Sequence, residues 1–298
     1  EGRDGCAEGA DQGAREGCMT RQRVIRPSGL VGFVDCARRW AASHMADELT
    51  EAGYALRERP ELHIGAAVGS GVHAAAAWTL ETKRDTGGLG SENEAEDRAI
   101  DEFEQRAAEE GLHFDETTAN VGAAKQQIAR MVRSYRIHIA PVVEPRLVET
   151  RLEADIGGGW RLSGQGDVLA GDPKADVRDI KTGNRKRANG AQYGAYTLIF
   201  QAHGFNATGV IEDFIPRVRL RDEQPAPTST QIDVQVAQAE AVAAMQDIQR
   251  SVAEFERRLA AGEPMPETAL RANPASQLCS ARFCRAWGTR FCRAHLST

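Results

Sequence analysis

Residues 147–183 read LVETRLEADIGGGWRLSGQGDVLAGDPKADVRDIKTG, and the way this stretch folds decides the architecture. LVETRLEADI alternates apolar and polar side chains, and Gly157, Gly158 and Gly159 then turn the chain. WRLSGQGDVLA alternates again before DPKAD turns the chain once more into VRDIKTG. Period-two alternation bounded by Gly and Pro turns predicts a three-strand antiparallel meander.

The meander concentrates charge. Side chains at i and i+2 share a face of a strand, so Asp179 and Lys181 project together. Pro173 is the midpoint between Asp167 and Asp179. A hairpin folded symmetrically about it sets the two carboxylates opposite one another, roughly 5 Å apart at Cβ. Gly158 is the midpoint between Glu149 and Asp167, so the same symmetry puts Glu149 across from Asp167. Three acids in a row destabilise a sheet unless a cation offsets them. Hard oxygen ligands suit Mg²⁺ or Mn²⁺. A lysine beside them can orient or deprotonate a water, or stabilise charge developing on a phosphate. A solvated strand face with alternating acids and bases gives a similar pattern, so the surrounding sequence has to decide.

Outward from the meander, residues 28–49 predict one helix, with Ser28 as a candidate N-cap and Leu30, Val31, Phe33, Val34, Ala37 and Trp40 on its apolar face. Further helices are expected near 65–84, 94–110 and 119–139, where Pro141 stops the last. After the meander come a helix over 190–203, a strand over 207–216, a Pro-rich loop (RLRDEQPAPTSTQ) and a long helix over 233–261. This order points to an α/β fold, a central mixed sheet flanked by helices. With 298 residues and 41% hydrophobic content the chain can bury one sizeable core, expected as a single domain over 23–298. Residues 1–22 lack apolar periodicity and read as a disordered tail or upstream sequence, with Met19 a more natural start. They contain no signal-peptide apolar region. No apolar run approaches about 18 residues, so no membrane partner is expected and the location is taken as cytoplasmic. The net charge of −6 excludes a broadly basic nucleic-acid binder; any such surface has to be local.

Six cysteines are present. Cys6 and Cys18 fall in the tail. Cys36 stands alone, and Cys279, Cys284 and Cys292 cluster in LCSARFCRAWGTRFC. Clustered cysteines without a secretory signal point to metal rather than disulfides. Cys279, Cys284, Cys292 and His295 could form a local zinc site, or the thiols could simply be buried apolar groups. Arg185, Lys186 and Arg187 follow DIKTG and fit phosphate contacts. Arg282, Arg285, Arg290 and Arg293 interleave with Phe283, Trp287 and Phe291, residues suited to phosphates and stacked bases or to packing around a metal.

Taken together, GQGD, DIKTG and Gln192-x-x-x-Tyr196 resemble the RecB-like branch of the PD-(D/E)XK nuclease superfamily. The resemblance extends to Gly69-x-x-x-His73 and to Ser28-x-Leu30-x-x-Phe33-x-x-Cys36, in the family's order over about residues 28–292. It implies a restriction-endonuclease-like core. It also implies a metal held by His73, Asp167, Asp179 and the backbone carbonyl of Ile180, with Glu149 supporting it indirectly. Lys181 is the implied catalytic lysine, with Gln192 and Tyr196 beside the active site. AddB-type, CRISPR-adaptation and phage-type recombination nucleases of this branch use one N-terminal and three C-terminal cysteines. Cys36, Cys279, Cys284 and Cys292 match that layout for a [4Fe–4S] cluster stapling the chain ends. The spacing C-x4-C-x7-C departs from the commoner C-x2-C-x5-C. The implied activity is metal-dependent DNA cleavage, as an exonuclease acting on free or single-stranded ends in recombination or repair, with a helicase or recombination partner. A non-catalytic DNA-binding module of the same fold and an RNA-directed nuclease are the alternatives.

Overall fold

In the computed structural model the described residues are 22–294. The chain enters through a short strand, β1 (Arg23–Ile25), and three helices, α1 (Pro27–Asp35), α2 (Ala37–His44) and α3 (Ala46–Glu51). The single helix expected over 28–49 is therefore broken twice. Cys36 takes an extended conformation (φ −156°, ψ 103°) and Met45 leaves the helical region at φ −127° and ψ 32°. Ser28 is not the N-cap. Arg26 takes that place, with Pro27 in the first turn, where its missing N–H costs nothing.

A two-residue strand β2 (Leu62–His63) runs into α4 (Ile64–Thr86), followed by α5 (Glu92–Glu110), strand β3 (Leu112–His113) and α6 (Val121–His138). Ser91 and Asn120 cap α5 and α6 by accepting hydrogen bonds from Glu94 and Ala123 amides. The meander follows as β4 (Pro145–Asp155), β5 (Trp160–Ala170) and β6 (Ala175–Gly183). Then come α7 (Gly190–Ala202), β7 (Ala207–Pro216), β8 (Thr228–Ile232) and α8 (Val234–Ala260). The strand β8 lies in the segment expected as a Pro-rich loop.

The sheet is mixed. β4, β5 and β6 are antiparallel neighbours, β7 joins β6 in parallel, and β8 closes the edge antiparallel to β7. β1 pairs in parallel with the start of β5, Ile25 opposite Leu162. Both turn symmetries hold. Val148 faces Val168 and Thr150 faces Gly166, a fold about Gly158. Val168 faces Arg178 and Ala170 faces Asp176, a fold about Pro173. One face of the sheet presents Val148, Val168, Ala170, Ile180 and Ile215 to α4, α5 and α6. The other presents Leu169, Val177 and Val210 to Tyr193, Tyr196 and Phe200 of α7. Alternation along each strand thus feeds two cores, as in a sheet covered by helices on both sides. A third cluster joins α1, α2, α7 and α8 to Ala286 and Phe291 of the C-terminal segment.

Candidate active site

The site forms where β5 and β6 separate. Their pairing ends at Val168 and Arg178, so Asp167 and Asp179 are the next residues on the two diverging strands. The Ile180 amide donates to Asp167 Oδ2 at 2.7 Å, which fixes one oxygen of that carboxylate. The other, Oδ1, lies 3.5 Å from His73 Nδ1 on α4. Gly69, one turn before His73, lets the helix come this near: a Cβ there would sit 2.7 Å from Thr182 Oγ1. Glu149 is bracketed by the β4–β5 pairs on either side of it, opposite Asp167. Its φ of 43° is left-handed, an unfavourable conformation for a side-chain-bearing residue that structures keep mainly at functional sites. Gln165 Nε2 donates to Glu149 Oε2 at 2.7 Å and holds the carboxylate. One ligand atom each from His73, Glu149 and Asp167 falls within 4.8 Å of the others, the one group of its kind among the described residues.

Asp179 stands next to this triad, buried, with Lys181 Nζ 2.5 Å from its Oδ2. That oxygen has the ammonium for company but no hydrogen bond of good angle. Gln192 Nε2 approaches Asp179 Oδ1 at 3.4 Å. The Lys181 ammonium also lies 5.7 Å from the Tyr193 ring, and Tyr193 donates to buried Glu212 at 2.5 Å. Sequence motifs alone do not single out Gln165, Tyr193 or Glu212. Gln165 had a readable signal, since it shares a strand face with Asp167. Glu212 had none, because it meets Asp179 only through the parallel β6–β7 register.

The field at the site is net negative. Burial disfavours charged His73, but the Asp167 and Glu149 carboxylates overcome it and lift the imidazole to about 9. Burial first, then the Asp167 charge, pushes Glu149 up to about 7. Burial also outweighs the Lys181 ammonium at Asp179 and, with Asp167, raises that acid to about 6. Asp167 resists burial and stays below the usual carboxylate range because His73, Lys181 and the Ile180 amide face it. Lys181 is held above the ordinary lysine value: burial opposes its charge, and Asp179 and Asp167 prevail. Both partners of the Asp179–Lys181 pair rise, which an isolated ion pair does not produce. Burial lifts Asp179 and the surrounding carboxylates lift Lys181, and a divalent cation would offset the negative charge gathered there. The donor set of imidazole and carboxylate oxygens, with a buried carboxylate oxygen lacking a good hydrogen bond, fits Mg²⁺ or Mn²⁺.

A cleft of about 710 Å³ opens over these residues. His73, Glu149, Ile180 and Lys181 line it, and so do Arg185 and Arg187. Lys186 turns instead to Thr230 and Glu212, at 2.7 and 3.8 Å. Gln192 and Tyr196 are buried behind the cleft rather than in its wall. Tyr196 packs against Gly164, where a Cβ would lie 2.9 Å from its ring.

The four described cysteines, Cys36, Cys279, Cys284 and Cys292, line one small cavity of about 10 Å³, the room of a single water. Burial, followed by the charges of neighbouring thiolates, pushes Cys279 up, and burial is also the main cause for Cys284. No three of the sulfurs are drawn together as closely as the triad. A zinc ion with Zn–S bonds of about 2.3 Å would require that spacing, so the zinc grouping is not assembled by the three C-terminal cysteines. His295 lies outside the described residues. Asp35 anchors the C-terminal segment near Cys36, accepting from Ser276 at 2.7 Å.

Fold and site together define a class, and the chain belongs to the PD-(D/E)XK nuclease superfamily, whose family model matches residues 25–289. A candidate exonuclease from Eubacterium rectale is similar in structure. Its TM-score is 0.55 at 11% identity, covering 91% of this chain and 93% of that one. An alkaline exonuclease from Laribacter hongkongensis aligns at 10% identity over 67% of this chain and 94% of that one, with a TM-score of 0.30 that carries no weight here. Comparison with curated proteins gives no match. No helix among the described residues is long and apolar enough to cross a membrane.

Proposed function

We propose that this protein is a divalent-metal-dependent deoxyribonuclease that hydrolyses phosphodiester bonds at free or single-stranded DNA ends. The observation that carries this reading is the gathering of His73, Glu149 and Asp167 within 4.8 Å of one another, beside the Asp179–Lys181 pair, under an open cleft. His73, Asp167 and Asp179 would hold the cation, with the Ile180 carbonyl alongside and Glu149 in support. When bound, the metal supplies Lewis-acid polarisation of the phosphate and a more acidic water. The protein's own groups do the rest. Asp167 is oriented by the Ile180 amide, and Glu149 by Gln165. Lys181, raised above its usual pKa, is an ammonium at neutral pH, suited to stabilise the charge that builds on the attacked phosphate rather than to accept a proton. Gln192 steadies Asp179 from behind. Arg185 and Arg187 in the cleft wall offer charge to the DNA backbone.

The cysteines extend the proposal. Four thiols around one apolar cavity suit a thiolate-bound [4Fe–4S] cluster in donor chemistry. The cavity would have to widen to admit it. Anaerobically purified protein should then be brown and lose its colour in Cys36→Ala; colourless wild-type protein rejects the cluster and leaves the nuclease reading intact. The nuclease reading is tested with single-stranded DNA, duplex DNA and RNA, each with Mg²⁺, Mn²⁺ or EDTA. Metal-dependent cutting of DNA supports it. Cutting of RNA alone reassigns the substrate.

A further inference from the structure

The active-site cleft does not end at the metal triad. Gly65, Ala66, Gly69 and Ser70 face it from the first turns of α4, so its wall leading to His73 is built from small side chains. At its far end His63 and Ala66 also line a second hollow of about 460 Å³, so the two hollows adjoin at these residues. Arg59, Arg282 and Phe283 wall this second hollow. The His63 and His113 rings stand 6.3 Å apart at its border. The Arg282 guanidinium lies 5.0 Å from the half-buried Phe283 ring, and both arginines are exposed. Two acids, Glu61 and Glu110, border the hollow as well, and Arg106 engages Glu110 at 2.9 Å. Three other members of the C-terminal basic and aromatic series are committed elsewhere. Arg285 donates to the Arg57 and Ala42 carbonyls, Phe291 is fully buried, and Trp287 borders the cysteine cavity.

We infer that these adjoining hollows act as one groove, which carries a single DNA strand from the cutting site to a subsite where Phe283 stacks on a base and Arg282, with Arg59, contacts the backbone. The inference rests on the nuclease reading and adds to it where the strand runs. Arginines beside an aromatic face are the chemistry that grips an unpaired strand without regard to sequence. From His63 at the head of α4 to His73 the helix rises about 15 Å, at about 1.5 Å per residue. At about 3.4 Å per stacked nucleotide that distance spans about four nucleotides. The subsite is therefore reached only by strands longer than that.

The test uses the full-length protein and fluorescent oligothymidylates from about three to about twelve nucleotides, read by anisotropy with Ca²⁺ in place of Mg²⁺. Wild-type affinity should step upward once the strand exceeds about four nucleotides. Phe283→Ala and Arg282→Glu should each remove the step and weaken binding of the longest oligomer by about tenfold. Arg282 is exposed, so Arg282→Glu decides alone should Phe283→Ala fail to fold. A wild-type step that survives in folded variants overturns the subsite, and so does wild-type binding with no step. A wild-type protein that neither binds nor cuts any oligonucleotide removes the nuclease reading and the subsite together.

Discussion

Asp167 divides its oxygens, one taken by the Ile180 amide and one facing His73. An amide in its place could accept from the Ile180 N–H but would turn an N–H toward His73 and carry no charge for a cation. Asp167→Asn should therefore lose Mn²⁺ binding by calorimetry and all cleavage while the fold survives. Lys181 holds no ligand position, and Lys181→Ala should keep Mn²⁺ affinity while turnover falls by about a hundredfold or more, the usual cost of removing a group that stabilises transition-state charge. Loss of metal binding in that variant would make the lysine structural. The titrations also give a sign. His73 is raised to about 9, Glu149 to about 7 and Asp179 to about 6, so these three groups hold more protons in the metal-free folded chain than in the unfolded one, while burial lowers His44 and His63 and opposes them below about pH 6.5. Stability falls with rising pH wherever that is so. His73 contributes fully below its ordinary value of 6.5 and is lost as pH passes about 9, while the two acids add a loss between their ordinary values and about 6 to 7. Metal-free protein should thus melt at progressively lower temperature from about pH 6.5 to about pH 9, above the range where His44 and His63 titrate. Mn²⁺, which must displace these protons, should bind more tightly and stabilise more at the alkaline end. A flat or rising melting profile without metal contradicts the cluster's electrostatics.

Among the elements, the meander was readable because its turns are local: Gly158 and Pro173 sit at the centres of the two hairpins, and the acids follow from counting. The breaks at Cys36 and Met45 were not, since apolar periodicity runs through them and the break is set by packing against distant segments, such as the Arg38 amide on the Arg271 carbonyl. β8 hid in a Pro-rich stretch because its partner β7 supplies the pairing. The Tyr193–Glu212 support of Lys181 was equally unreadable, since it needs the parallel crossover through α7 to bring β7 beside β6. Helix α7 depends on one close approach. A Cβ on Gly194 would lie 2.0 Å from the Ala237 carbonyl oxygen of α8. Gly194→Ala should destabilise the protein by about 1–3 kcal/mol through this overpacking. Chemical denaturation measures it, and an unchanged midpoint would mean the two helices slide apart freely.

At the scale of the whole molecule, a sheet clad on both faces by helices leaves its acids at the one place where two central strands diverge. The His73 helix approaches from one side, and the Gln192 helix backs the site from the other. The C-terminal segment crosses to the cleft as well, since Arg185 donates to Gln277 at 2.8 Å. Burial raises Glu149 and Asp179 and the carboxylates raise His73, and a cation that binds among them only in the folded form would stabilise that form. The most direct test is cleavage of end-labelled DNA by wild-type and Asp179→Asn protein, each with Mg²⁺, Mn²⁺ or EDTA. The wild type should cut only with metal, and the folded variant should be inert in all three. Cutting by the variant at the wild-type rate, cutting in EDTA, or intact DNA under every metal condition would contradict the account.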